Sequence, residues 1–431
     1  MSLGIVSLTI LALLILFLGG TVWVGVTLLI VGFISMIAFT NHPPLTVLSN
    51  IFWNNTNSTT MMALPLFILM GEILVRSRLS ERLFKGLAPW MNFLPGRLLH
   101  VNVMASSLFA AVSGSSAATT ATVGKIALPE LLNRNYSRSL AIGSLAGAGT
   151  LGFLIPPSMM MIVYGIAADV SIGRLFIAGL VPGLIIAACF SGYIMIRSLI
   201  NKDVTGKTDT YTWEDRIKAI PQLLPIIILI VFVLGSIYTG WATPSEAAAV
   251  GVLGAFIIAL FAKTLNRKVI KEIVMNSVKT STMIMLIVIS ASYISVVIGY
   301  LNIPAQLTQF INDLGLSGYQ LIIILAIMYI ILGMMLDGFS LIVMTLPLAL
   351  PLVVAAGFDP LWFGIFLILM IEIAQITPPI GFNLFVINGL VKEDVLKIAY
   401  YSVPSFIIII LVTALLTVYP EIIFWLPDLM M

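Results

Sequence analysis

Hydroxyl groups crowd one short stretch of this chain, "SGSSAATT", from Ser113 to Thr120. A second stretch, "LDGFS", places Asp337 and Gly338 just ahead of Ser340. Two others carry a double proline among small and polar residues. "GAGTLGFLIPPS" contains Gly149, Thr150, Pro156 and Ser158, and "EIAQITPPIGFN" contains Glu372, Gln375, Thr377, Pro378 and Asn383. All four lie inside long apolar runs. Hydroxyl, amide, carboxylate and backbone oxygens suit a hard cation without help from His or Cys, and sodium fits this inventory better than any transition metal. Two successive prolines break a helix. At membrane depth the freed backbone groups need a partner or a water-lined cavity. The two half-helices then present a negative C-terminal end and a positive N-terminal end, which can hold a cation and an anion respectively.

Each stretch also has a plainer reading. A double proline can simply kink a helix, but the same break in both halves of the chain, with polar neighbours, favours a site. Small residues at Ser113–Thr120 would suit close helix packing, although the hydroxyls exceed what packing needs. Asp-Gly is a good turn pair, yet an ionised Asp337 inside the membrane invites a cation. Glu372 is costly in a bilayer. It either lines a cavity or joins helices through hydrogen bonds. Glu246 opens a span and reads equally as a helix N-terminal charge. Lys125 can snorkel to the interface, and Arg174 reads as a loop charge. The 21 methionines are packing residues.

These groups need membrane-spanning elements to position them. The chain is 60% hydrophobic and 9% charged, and apolar runs of about 20 residues recur. That composition specifies an all-helical integral membrane protein. Full spans are expected at 3–18, 21–40, 60–77, 139–168, 176–199, 223–240, 245–262, 281–300, 361–390 and 402–426. Met1–Phe17 has no basic flank and reads as a span, not a removable signal. Residues 101–132 and 320–352 are too long for single helices and have small, polar middles, so each reads as a re-entrant hairpin. Cys189 is the only cysteine, which excludes an internal disulfide, and His42 and His100 are isolated, so no Cys/His metal cluster is expected. The sequons at Asn54 and Asn57 carry little weight. No nucleotide loop, protease dyad or redox motif is present, and nothing points to nucleic acid.

Basic residues cluster at Arg76, Arg78, Arg82, Lys85 and Arg97, at Arg134 and Arg138, from Arg197 to Lys218, from Lys263 to Lys279, and at Lys392 and Lys397. The segments 41–59, 301–319 and 352–361 have none. By the positive-inside rule the basic loops are cytoplasmic and both termini lie outside. The polar stretch "NKDVTGKTDTYTWEDRIK" divides the chain into repeats 1–200 and 223–431, joined by a cytoplasmic linker, 201–222. Each repeat has an odd number of spans plus a hairpin, so the second is inserted upside down. One ungapped shift of 222 residues sets Pro156-Pro157 on Pro378-Pro379, Gly32 on Gly254, Gly96 on Gly318, Pro129 on Pro351 and Pro182 on Pro404. It also sets the basic arm 79–97 on the arm 301–319, which lacks basic residues. Both arms read as amphipathic interfacial segments.

The motifs "SGSSAATTATVGKIALPEL", "AGAGTLGFLIPPSMMMIVYGIA" and "EIAQITPPIGFNLFVINGL" resemble the large membrane subunit of tripartite ATP-independent periplasmic (TRAP) transporters. So do "PLFILMGEIL", "RLFIAGLVPG" and "ATPSEAAAVG", and the resemblance covers essentially the whole chain. It implies an elevator-type transporter with a scaffold and a moving transport domain in the bacterial inner membrane. Its partners would be a small four-helix membrane subunit and a soluble substrate-binding protein. Its cargo would be an organic acid, such as a C4-dicarboxylate, sialic acid or another sugar acid, driven by co-transported Na+. No organic cofactor and no enzymatic activity are implied. One sodium site would involve Ser113, Gly114, Ser115 and Ser116 with Gly149, Thr150 and Pro156. The other would involve Asp337 and Gly338 with Thr377 and Pro378. Substrate would sit between the tips near Thr119, Ser340 and Asn383, with Glu372 and Gln375 as further candidate contacts. Two alternatives remain: a sodium-dicarboxylate symporter of similar inverted fold that needs no binding protein, and a passive anion channel.

Overall fold

The computed structural model describes residues 3–77, 79–206 and 210–430, so Arg78 and Lys207 of the basic clusters lie outside the described residues. Among these residues every regular element is helical, and no strand occurs. The first half comprises α1 (Leu3–Gly19), α2 (Val24–Phe39), α3 (Pro44–Thr56), α4 (Thr59–Val75), α5 (Leu79–Met91), α6 (Leu99–Ser113), α7 (Ser116–Asn133), α8 (Arg138–Thr150), α9 (Met159–Ala168) and α10 (Ile172–Ile200). The second comprises α11 (Trp213–Tyr238), α12 (Pro244–Phe261), α13 (Arg267–Tyr300), α14 (Ile303–Asp313), α15 (Gly318–Gly333), α16 (Gly338–Ala355), α17 (Pro360–Gln375), α18 (Phe382–Val391), α19 (Val395–Val418) and α20 (Glu421–Met430).

The shift of 222 residues carries Ser116–Asn133 onto Gly338–Ala355, the bounds of α16. It also carries α5 to α14, α6 to α15, α8 to α17, α9 to α18 and α10 to α19 within a few residues at each end. The repeat is therefore one of elements as well as of punctuating residues. It differs at one place. The pair α3 and α4 is bent by 59°, whereas its counterpart α13 is a single helix of 34 residues.

Several boundaries differ from the sequence expectation. The region 41–59, expected as a loop, contains α3, started by Pro44 in the first helical turn. The segment 201–222, expected as linker, is largely helical from Trp213 onward. Thr212 and Asp215 form a reciprocal capping box there, with Asp215 N donating to Thr212 Oγ1 at 3.2 Å and Thr212 N donating to Asp215 Oδ2 at 2.8 Å. The span expected at 402–426 ends at Val418, because a residue before proline disfavours helical geometry and Pro420 follows. The chain then turns into α20, which Arg174 and Asp428 tie to the start of α10 with a 3.3 Å ion pair. Glu246 is the acidic member of a capping box with Thr243 (2.8 Å), which is its helix-end reading.

Among the described residues, six helices, α10, α11, α12, α13, α16 and α19, are each long and apolar enough to cross a bilayer alone. α1, α2 and α4, expected as full spans, fall just short at 16–17 residues, and α4 reaches span length with α3 as a bent pair. The outer helices keep large apolar side chains exposed, such as Leu253, Phe256 and Phe261 on α12. α8 and α17 are the opposite case. Residues Leu140–Thr150 and Leu361–Gln375 are buried on every face, as suits helices at the centre of a bundle. Trp362 on α17 stacks between Phe358 and Phe366 and donates its indole N–H to the Leu416 carbonyl of α19 at 3.0 Å. The inner halves of the two broken helices thus form the middle of the protein.

Candidate functional site

The first hairpin turns at Gly114 and Ser115. Gly114 closes α6 in the left-handed region, φ 58°, where a side chain would be strained. Ser115 then caps α7, its hydroxyl accepting from Ala118 N at 3.4 Å. Ser113 and Thr119 share a hydroxyl–hydroxyl bond of 3.0 Å, and Thr119 also donates to the Ser115 carbonyl at 2.8 Å. The hydroxyls of "SGSSAATT" therefore organise the turn as well as furnish oxygens.

This tip is set directly against the first break. α8 stops at Thr150, and α9 restarts at Met159 with Ser158 as its cap, which also bonds the Phe153 carbonyl. The Pro156–Pro157 bond between them is cis, as is Pro378–Pro379 in the second break. Met159 N donates across to the Gly114 carbonyl at 3.4 Å. A Cβ placed on Gly152 would lie 2.7 Å from the Ser115 carbonyl carbon and oxygen and from Ser116 N, so backbone meets backbone. A Cβ on Gly149 would meet Thr120 Oγ1 at 1.9 Å. Ser113, Gly114, Ser115 and the break residues around Pro156 are thus brought together. Thr150 lies one layer deeper, its hydroxyl donated to the Gly147 carbonyl at 2.8 Å.

The second tip is built differently. Asp337 caps α16, accepting from Phe339 N at 3.1 Å, from Ser340 N at 3.3 Å and from the Ser340 hydroxyl. It is exposed, whereas Ser340 is fully buried. Gly338 sits against Ile371 of α17 and Met160 of α9, 2.7 and 2.8 Å from a Cβ built there. Thr377 ends the first half of the second break, its hydroxyl donated to the Ile373 carbonyl at 2.6 Å, and Gly381 N returns to the Thr377 carbonyl at 3.0 Å. Pro378 is partly exposed beside it. No hydrogen bond joins Asp337 to Thr377.

The two modules interlock. Ser116, at the start of α7, and Asn383, at the start of α18, form a fully buried pair. Asn383 Nδ2 donates to Ser116 Oγ at 2.8 Å, and Ser116 Oγ lies 3.1 Å from Asn383 Oδ1. Of the three residues expected between the tips, Thr119 and Ser340 are bonded within their own hairpins, and Asn383 alone reaches across the halves.

Glu372 is fully buried beside the Thr150 side chain. The Thr150 hydroxyl is donated to the Gly147 carbonyl, and by distance and angle neither Glu372 oxygen nor Thr120 Oγ1 has a hydrogen-bond partner. An ionised carboxylate here, next to the negative C-terminal end of α8, needs a cation, and unneutralised it would repel an organic anion. Gln375 is buried in the next turn. Sequence reasoning did not single out Thr120 or Met160. Thr120 has a local signal, since it lies one turn past Ser116 on the same face. Met160 has none, because its contact with Gly338 is made only by the packed halves.

The family described as tripartite ATP-independent periplasmic transporter, DctM component, matches residues 10–422. The C4-dicarboxylate TRAP transporter large permease protein DctM of Vibrio cholerae serotype O1 is 32% identical over 393 residues, covering 86% of each chain. The ectoine TRAP transporter large permease protein TeaC of Halomonas elongata is 31% identical, again with 86% of each covered. The sialic acid TRAP transporter large permease protein SiaM of Vibrio cholerae serotype O1 is 27% identical over 94% of this chain and 95% of its own length. Among solved structures, the Alcanivorax borkumensis YdaH transporter superposes with a TM-score of 0.65 over 88% of both chains at 10% identity, a likeness of fold alone. Matched along nearly its whole length by sequence, and carrying two helical hairpins and two broken helices, this chain belongs to the tripartite ATP-independent periplasmic transporter family as its large permease component.

Proposed function

We propose that this permease imports an organic acid anion across the bacterial inner membrane, driven by sodium and supplied by a soluble binding protein, with a small membrane subunit as its permanent partner. The relatives named for C4-dicarboxylates, sialic acid and ectoine support the cargo class. The observation that carries the mechanism is the seating of the first hairpin tip against the first helix break, with the Ser116–Asn383 pair joining that hairpin to the second break. In this reading one Na+ is held by the oxygens of Ser113, Gly114, Ser115 and Ser116 with those of Gly149, Thr150 and Pro156. A second is held by Asp337 and Gly338 with Thr377 and Pro378. Closely apposed backbones around Gly114 and Gly152 supply carbonyl oxygens without long side chains, as a small hard cation requires. Substrate binds near Asn383, with its anionic group toward the helix N-termini of α7 and α18. The interlock of the two modules supports movement as one rigid body, as an elevator needs.

The test is uptake of labelled succinate and sialic acid into liposomes holding both membrane subunits, with the binding protein outside. Accumulation that requires both a sodium gradient and the binding protein is expected. Accumulation without the binding protein would instead favour the independent symporter. Equilibration that never exceeds the outside concentration would make the protein a channel.

A further inference from the structure

A cavity of about 250 Å³ lies between α8, α10 and α19, on the side of the membrane that carries the basic loops. Its polar lining includes Ser139, Ser144, Tyr193, Arg197, Tyr400 and Tyr401, and no carboxylate lines it. Phe190 and Ile194 form part of its apolar wall. Arg197 stands in the last turn of α10 and is exposed. Among the described residues Arg197 forms no ion pair, and Glu393, just ahead of α19, is engaged by Arg138 and by Lys397, both at 2.6 Å. Tyr400 is 74% exposed at the rim, as befits an aromatic residue at a headgroup boundary. From this rim an apolar stripe runs along α19 at helical spacing. Val403, Ile407 and Leu411 are all exposed on one face.

From the cation, the hydroxyls and the apolar stripe together, we infer that this cavity binds the phosphate headgroup of an anionic phospholipid, with an acyl chain along the α19 stripe. A guanidinium offers a planar fork of donors that matches a phosphate, and serine and tyrosine hydroxyls complete the shell. A soluble anion would use the same headgroup pocket but would have no use for the stripe. Because the cavity spans α8, α10 and α19, a bound lipid would brace the base of the first broken helix.

The test is native mass spectrometry of the full-length chain, delipidated in detergent and then titrated with phosphatidylglycerol or phosphatidylcholine. Phosphatidylglycerol is expected to bind in preference. Arg197→Gln should weaken that binding about fivefold, the effect of one basic group near a lipid surface. Arg197→Lys should lose less, and Lys268→Gln, at a distant basic helix end, should change nothing. Unaltered phosphatidylglycerol binding in Arg197→Gln would overturn the site, as would equal weakening in Lys268→Gln. Displacement of the lipid by millimolar inorganic phosphate would overturn the lipid assignment in favour of a soluble anion.

Discussion

Asp337 is the one carboxylate at either hairpin tip, and it does a structural task already by capping α16. Asparagine caps a helix about as well as aspartate, so Asp337→Asn separates the two roles. The cap should survive and the protein should fold, while the half-saturating sodium concentration for uptake rises about tenfold, or roughly 1.4 kcal/mol. The exposure of Asp337 limits the effect, since water screens its charge. An unchanged sodium dependence would leave the residue as a cap alone. Ser116 makes the complementary case. Ser116→Ala strands the Asn383 amide in a fully buried position, which should cost about 1–3 kcal/mol. Asn383→Leu combined with it should cost less than the two single changes added, because both remove one shared bond. Thermal unfolding in detergent reads the stability, and additive losses would contradict the pairing.

At the scale of elements, the hairpin and the break work by close approach. Gly152 is the sharpest instance, since any Cβ there would press on the backbone of Ser115 and Ser116 and not on a movable side chain. Gly152→Ala should therefore push the first tip off its break. Expression and membrane insertion should persist, with uptake reduced at least about tenfold, on the order of 1.4 kcal/mol or more. Gly235→Ala, where a Cβ meets nothing within 4 Å on α11, is the matched control and should keep normal uptake. Equal activity in both variants would show that the tip tolerates displacement. The same elements explain why the broken helices are central. α8 and α17 are buried on every face, and their last turns, with Thr150 on α8 and Glu372 and Gln375 on α17, lead into the two helix breaks.

For the whole molecule, the two halves share one order of elements, and the charges differ between matching arms. α5 carries Arg82 and Lys85, whereas α14 has no basic residue. Inverted insertion would place the two arms on opposite membrane surfaces. Single cysteines introduced within 203–215 should react with an impermeant reagent only from the cytoplasm, and those within 305–315 only from outside. Cys189 is first replaced by serine, because it is exposed. Labelling of both sets from one side would refute the inverted insertion.

Composition, the double prolines and the small polar tips were enough to read an all-helical membrane protein with paired hairpins and paired breaks. Those signals are local: proline ends a helix wherever it stands, and Gly114 or Asp337 turns the chain by its own backbone and side chain. The 222-residue register was legible for the same reason, because it rests on residues that punctuate backbone. Helices with no strong local mark escaped: α3 was hidden in a segment taken for loop, α11 was started early by its capping box, and α20 was cut off by Pro420. The site contacts were decided only by the tertiary structure. Ser116 and Asn383 are 267 residues apart in sequence, and Met160 reaches Gly338 only once the halves interlock. Glu372 stands beside Thr150 only because α17 packs against α8. Periodicity and spacing determine which residues can stand at a helix end, whereas the packing of one inverted half against the other decides which ends meet.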